Sequence, residues 1–284
     1  MKRILKVVIT ALLITALAVP AFAGNGKKVK LAYVEWDCAT ATTNVIKAVL
    51  QERMGYECEI LPVAAAVMWQ AVSTGDVDGL AAAWLPGTHS DYLKRVEKNV
   101  VNLGPNVSGA KIGWAVPSYV TVDSIADLNK YADKFDDKII GIDPGAGVMK
   151  LSEDTIKEYN LDKFELMEGS GATMTAALSD AIKNNKWIVV TAWSPHWMFG
   201  RWDLKYLKDP KKVLGEEETI NTIVRKGLKS DMPDVYAFLD KFAWKDANQM
   251  QMVMDWNQQK GTTPYENAKR FIKENKAQVD SWLK

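Results

Sequence analysis

Apolar residues along this chain fall into two alternating patterns. A short dense run, Val29-Lys30-Leu31-Ala32-Tyr33-Val34, predicts a buried strand, and from Thr43 to Met54 the positions Val45, Ile46, Val49 and Leu50 repeat at helical spacing. Glu57 to Pro62 then reads as a strand, Ala64 to Ser73 as a helix, and Asp76-Val77-Asp78-Gly79 as a turn into a strand from Leu80 to Trp84. Strand–helix–strand–helix–strand is the pattern of a parallel sheet with helical crossovers.

The alternation returns further on. Lys138 to Ile142 reads as a strand, Val148 to Tyr159 as a helix, Phe164 to Met167 as a strand, Ala172 to Lys183 as a helix and Trp187 to Ala192 as a strand. No fixed-period repeat accompanies it, so two α/β lobes are expected rather than a solenoid. From Asp231 to Lys284 the spacing is helical throughout, with Val235, Phe238 and Leu239 and then Met250, Val253 and Met254 on apolar faces. Two short β-rich runs, Ile112 to Val120 and Thr219 to Lys226, are the candidate links between lobes. They put the first lobe at 28–117 plus 223–284 and the second at 118–222, with a cleft that can close by hinge motion. One fused sheet is the alternative that periodicity leaves open.

The first residues carry a different pattern. Lys2, Arg3 and Lys6 precede an apolar run from Val7 to Val19, and Ala21-Phe22-Ala23 is a small-x-small site followed by Gly24. This predicts a secretory signal of residues 1–23 cleaved after Ala23, and a periplasmic location. The run is short for a membrane anchor, which takes roughly 17–25 residues, and no cysteine follows the cleavage point to carry a lipid. Loss of the three basic residues takes the formal charge from +1 to −2, a balance with no electrostatic footprint for nucleic acid or an anionic membrane. Cys38 and Cys58 have no CxxC spacing; either a disulfide or two small buried hydrophobes fits them.

Eleven tryptophans in 284 residues call for a large aromatic core or an aromatic binding site. Three of them stand at strand ends, where ligands bind in open α/β sheets: Trp36, Trp84 and Trp193. Two have a proline two residues later, which stiffens the exit from the strand. Three converging indoles form a cage suited to a quaternary ammonium group, which donates no hydrogen bonds but is attracted to indole faces by roughly 0.5–2 kcal/mol per contact. An anion site lies in Gly141-Ile142-Asp143-Pro144-Gly145-Ala146-Gly147-Val148, a glycine-rich turn from strand to helix whose free N–H groups suit a carboxylate. The GxGxxG fingerprint of dinucleotide sites fails there, because Lys150 stands where its last glycine belongs. His89, five residues after Trp84, is a further donor to that carboxylate, whereas His196 reads as a packing residue. Trp69, Trp114, Trp187, Trp244, Trp256 and Trp282 read as core or interface; Trp197 and Trp202 are left open.

Val34-Glu35-Trp36-Asp37, Thr42-Thr43-Asn44-Val45-Ile46, Ala83-Trp84-Leu85-Pro86-Gly87-Thr88-His89, Ile140 through Met149 and Thr191-Ala192-Trp193-Ser194-Pro195-His196-Trp197-Met198-Phe199 resemble the glycine betaine-binding proteins of osmoprotectant ABC transporters over nearly the whole mature chain. The resemblance implies an α/β, two-lobe periplasmic binding protein fold (type II-like) with a ligand cleft between lobes joined by two crossings. It matches Trp36, Trp84 and Trp193 to the family's aromatic cage, the amides of Gly147 and Val148 to its carboxylate site, and His89 to its carboxylate-contacting histidine. The position of Val148 is often isoleucine in the family, a change that a backbone contact tolerates. The expected partners are a small zwitterion resembling glycine betaine and a transporter permease; the expected state is a monomer, without cofactor or metal.

Choline, carnitine, proline betaine and dimethylsulfoniopropionate remain alternative ligands, and a ligand-sensing module an alternative role. Choline lacks the carboxylate that His89, Gly147 and Val148 would hold. An enzyme is not expected: two histidines and no nucleophile–base pairing or metal-ligand spacing give chemistry nothing to start from. Asp37 and Asp143 are acid–base candidates near the cleft, but aspartates at strand ends more often cap helices.

Overall fold

The computed structural model describes residues 28–284; the signal sequence expected at 1–23 lies outside them. In chain order the elements are β1 (Lys28–Tyr33), α1 (Asp37–Glu52), β2 (Glu57–Pro62), α2 (Ala65–Thr74), β3 (Gly79–Leu85), α3 (Ser90–Val96) and β4 (Val100–Pro117). After a kinked 3₁₀ segment, Ile125–Phe135, come β5 (Lys138–Ile140), α4 (Gly147–Glu158), β6 (Glu165–Met167), α5 (Gly171–Lys183), β7 (Val190–Ser194), α6 (Met198–Arg201), β8 (Leu204–Tyr206) and β9 (Glu218–Arg225). The tail is α7 (Leu228–Asp231), α8 (Pro233–Lys241), α9 (Ala247–Asn257), α10 (Pro264–Glu274) and α11 (Lys276–Trp282).

The nine strands run in the order β2-β1-β3-β9-β4-β7-β5-β6, with β8 on β4. β1 pairs in parallel with β2 and β3, and β5 in parallel with β6 and β7, as crossover helices require. Between these two parallel halves lie the antiparallel strands β9 and β4. The early part of β4 pairs with β9, from Val100 to Ala110, and the later part pairs with β7 and β8, from Lys111 to Pro117. One strand thus serves both halves, and its partner changes at Ala110/Lys111. The boundaries expected at 117/118 and 222/223 fall at the far end of β4 and in the middle of β9.

Buried apolar residues form two clusters, the larger of which crosses into the second half through Val148, Met149, Met174, Leu178 and Trp193. This larger cluster is centred on α1, α2 and the tail helices; Trp69, Met68, Ile46, Leu50, Phe238 and Phe271 are among its fully buried members. The other packs Trp114, Ile125, Leu128, Phe135, Ile139 and Phe164 beneath the second half. Each large side chain so buried contributes about 1.5–3 kcal/mol. Local signals set the helix starts: Ser170 and Thr173 form a capping box at α5, and Thr263 and Glu266 form another at α10 with Pro264 in its first turn. No helix among the described residues is long and apolar enough to cross a membrane.

Candidate functional site

All six residues singled out in the sequence line one cavity. Trp36, Trp84, Trp193, His89, Gly147 and Val148 surround an empty volume of about 320 Å³, mouth included, with Cys38, Thr88, Ile112, Ile142 and Ala146 completing the wall. Trp36 precedes α1 as its N-cap residue, Trp84 is the penultimate residue of β3, and Trp193 that of β7. Trp193 faces Ile112 directly across the β4–β7 register, which places both side chains on the same face of the sheet. The Leu85–Pro86 and Ser194–Pro195 peptides that follow Trp84 and Trp193 are both cis.

His89 is fully buried. Its Nδ1 accepts the backbone N–H of Trp84 at 3.1 Å, which puts the ring's proton on Nε2. No group among the described residues partners Nε2. Burial pushes the imidazole down to about 3, so it is neutral and a one-proton donor near neutral pH. Trp36 stacks on it with centroids 5.6 Å apart, and the edges of Trp69 and Tyr92 close in at 5.9 Å. Trp69, read from sequence as core, is core, and it also holds this donor in place.

Gly147 and Val148 open α4, so their N–H groups have no helical acceptor, and none outside the helix accepts from them among the described residues. Glycine is required at 147 by packing. A Cβ there would lie 2.2 Å from the carbonyl oxygen of Thr88 and 2.5 Å from its Cγ2. The close approach is between the two halves of the protein, where the sequence suggested only free N–H groups for a carboxylate. Thr88 is fixed in turn by Glu218, the buried first residue of β9, which accepts the Thr88 N–H at 3.1 and 3.2 Å and its hydroxyl at 2.5 Å.

Neither aspartate considered for acid–base work caps a helix through its side chain. Asp143 accepts the indole N–H of Trp36 at 2.9 Å. Asp37 accepts from Gln258 at 3.0 Å and lies 3.3 Å from His196 Nε2. Cys38 and Cys58 are buried free thiols, so of the two readings left open the buried hydrophobe is the one realised. Burial pushes both thiols up to about 12, which makes them poor nucleophiles. Sequence reasoning did not find Cys38, Thr88 and Ile112 as wall residues, nor Glu218, Trp69 and Tyr92 as their supports. Glu218 sits 130 residues from Thr88, Tyr92 is only three from His89 but outside the Trp84–His89 motif, and only Thr88, inside that motif, carried a local signal.

Comparison with known proteins gives one family. The family model for the substrate-binding domain of ABC-type glycine betaine transport systems matches residues 27–274. The glycine betaine/carnitine transport binding protein GbuC of Listeria monocytogenes is 47% identical over 146 residues, 51% of this chain and 48% of that protein. The chain therefore spans about half the length of that relative. Lactococcal OpuAC, in its closed-liganded conformation with glycine betaine, is 48% identical with a TM-score of 0.86 over 91% of this chain and 100% of that one. The glycine/betaine/L-proline-binding protein ProX of Borrelia burgdorferi is 40% identical with a TM-score of 0.87, over 91% and 97%.

Proposed function

The chain belongs to the family of substrate-binding domains of ABC-type glycine betaine transport systems, and we propose that it captures glycine betaine in the cavity between its two lobes and delivers it to the permease of an ABC importer. The observation that carries this is the pairing of two chemistries in one small buried space. Trp36, Trp84 and Trp193 offer indole faces for a trimethylammonium group. Opposed to them are the unpartnered Nε2–H of His89 and the free amides of Gly147 and Val148 at a helix start, all donors suited to a carboxylate.

The two lobes correspond to the two parallel halves of the sheet, and β4, the strand they share, acts as the hinge together with the chain leading into β9. The first lobe supplies Trp36, Trp84 and His89; the second supplies Trp193, Gly147 and Val148. Closure brings the six together and excludes water, which strengthens every electrostatic contact inside. The protein acts as a monomer in the periplasm after removal of residues 1–23, and it catalyses no reaction: the buried thiols and the low basicity of His89 offer no activated nucleophile or base.

Calorimetric titration of residues 24–284 with glycine betaine, choline and dimethylsulfoniopropionate at matched ionic strength tests this reading. Tight glycine betaine with weak choline is the expected result. Tight choline without glycine betaine would keep the cage and remove His89, Gly147 and Val148 from the carboxylate role. Binding of none would overturn the assignment.

A further inference from the structure

Asp143 has no part in the ligand contacts above, yet its carboxylate is aimed across the cleft. It lies beyond β5 in the second half of the sheet, and the indole N–H it accepts, at 2.9 Å, belongs to Trp36 at the start of α1 in the first half. The same turn is held a second time from the first half, where the Tyr92 hydroxyl donates to the Gly145 carbonyl at 2.9 Å. Lys150 and Asp91 also face each other across this boundary at 4.0 Å, but both are exposed and such a pair contributes little.

We propose that Asp143 is a positioning residue: it locks the Trp36 indole by a hydrogen bond that exists only when the lobes are closed, and thereby couples cage assembly to closure. Trp36 is fixed on one face by its stack on His89 and along its N–H edge by Asp143, so the ring reaches its binding orientation when the second lobe arrives. A hydrogen bond from an indole N–H to a carboxylate is charge-assisted and stronger than a neutral one. It also draws electron density into the ring, whose face is what attracts a cation. Tyr92 and Gly145 form a second clasp, from the helix that follows His89 to the turn that precedes Gly147. The inference rests on the ligand reading above, because it assigns Asp143 its effect through a cage residue.

The test compares wild type, Asp143→Ala, Asp143→Asn, Trp36→Phe and the double variant Trp36→Phe/Asp143→Ala by calorimetry with glycine betaine and by stopped-flow tryptophan fluorescence. Asp143→Ala should weaken binding about tenfold, mostly through faster dissociation. Asp143→Asn, whose amide oxygen still accepts, should stay within about threefold of wild type. In the Trp36→Phe background, where no N–H remains to be held, Asp143→Ala should cost less than about twofold. Equal losses in the two backgrounds, or no loss in either, overturn the proposal. The indole N–H resonance of Trp36, assigned by its absence in Trp36→Phe, is read in the protein saturated with glycine betaine, where the lobes are closed. It should move upfield on Asp143→Ala; an unmoved resonance overturns the bond itself. Absence of glycine betaine binding by wild type would overturn the proposed function, whereas binding with an unmoved resonance would overturn the Asp143–Trp36 contact alone.

Discussion

Replacing Gly147 by alanine adds one carbon where the two halves of the protein touch backbone to backbone. That carbon would lie 2.2 Å from the Thr88 carbonyl oxygen and 2.9 Å from its carbonyl carbon, whereas carbon–oxygen contacts settle at about 3.3–3.6 Å. The surfaces must separate by about 1 Å to relieve it. Thr88 cannot yield cheaply, because its amide and hydroxyl are both tied to the buried Glu218 carboxylate. Overpacking of this kind costs about 1–3 kcal/mol, equivalent to roughly 5- to 150-fold in a dissociation constant. The clash lies where the two halves meet and opposes their approach. Gly147→Ala should therefore keep the melting temperature of the unliganded protein, while calorimetry shows glycine betaine binding weakened 5- to 150-fold and the ligand-induced rise in melting temperature shrinks to match. Alanine retains the N–H at 147, so the loss reports packing and not a missing donor. An unchanged affinity would refute the argument that closure depends on this contact.

Trp193→Ala should weaken glycine betaine and choline alike, by about 0.5–2 kcal/mol or more, since both present the same cation to the ring; titration with each ligand checks it. His89→Leu should cost glycine betaine about 1.5–3 kcal/mol, the value of a hydrogen bond to a charged group, and spare choline, which has no carboxylate. The His89 imidazole is held down to about 3 by burial, so between about pH 3 and 6.5 the unfolded chain takes up a proton that the folded one refuses. Its contribution to stability is therefore complete above about pH 6.5 and falls as pH drops toward 3, by on the order of 3–5 kcal/mol; denaturant melts of wild type and His89→Leu should differ in slope across that window. Ser152→Ala should destabilise by about 1–3 kcal/mol, because it strands the indole N–H that Trp114 donates to Ser152 at 2.8 Å in the second core; urea unfolding measures it.

The parallel units were legible because their strands and helices differ in period. The predicted Glu57–Pro62 strand agrees with β2 residue for residue. The start of α1 was not legible. The helix begins at Asp37, ahead of the expected Thr43, and its first turns are Cys38, Ala39, Thr40, Ala41 and Thr42. It is buried on nearly every side, packed against the sheet and against α9 and α10, and a helix without a solvent face shows no amphipathic period. β4 was hidden for another reason. Gly104, Pro105 and Gly109 interrupt its apolar pattern, and the register with β9 shifts at three places along it, the mark of bulges that bend a strand. The strand expected from Trp187 begins at Val190, since Trp187 turns aside to pack on Phe135 at 5.3 Å. At the site, most residues that line the cavity sat in dense local motifs, but the pairings that hold them join distant parts of the chain. Asp143 lies 107 residues from Trp36 and Glu218 lies 130 from Thr88, and no local pattern joins such pairs.

The two histidines show how one side-chain device serves two ends. Each lies buried with Nδ1 accepting a backbone N–H at 3.1 Å, from Trp84 for His89 and from Met198 for His196. In both rings the proton is thereby sent to Nε2. Neither Nε2 makes a hydrogen bond among the described residues; that of His196 lies 3.3 Å from the Asp37 carboxylate, while His89 lines the cavity. An anion already beside His196 and an open cavity beside His89 are what favour His89 as the proposed carboxylate donor. Each imidazole also supports a cage ring: His89 stacks on Trp36 at 5.6 Å, and His196 meets Trp193 edge to face at 4.6 Å. Trp36 comes from the first half and Trp193 from the second, so each half arrives with one indole already set against an imidazole that its own backbone holds. For the proposed cage this restricts each ring before closure, which lowers the ordering cost on contact, and leaves the Asp143 hydrogen bond to fix what remains of Trp36.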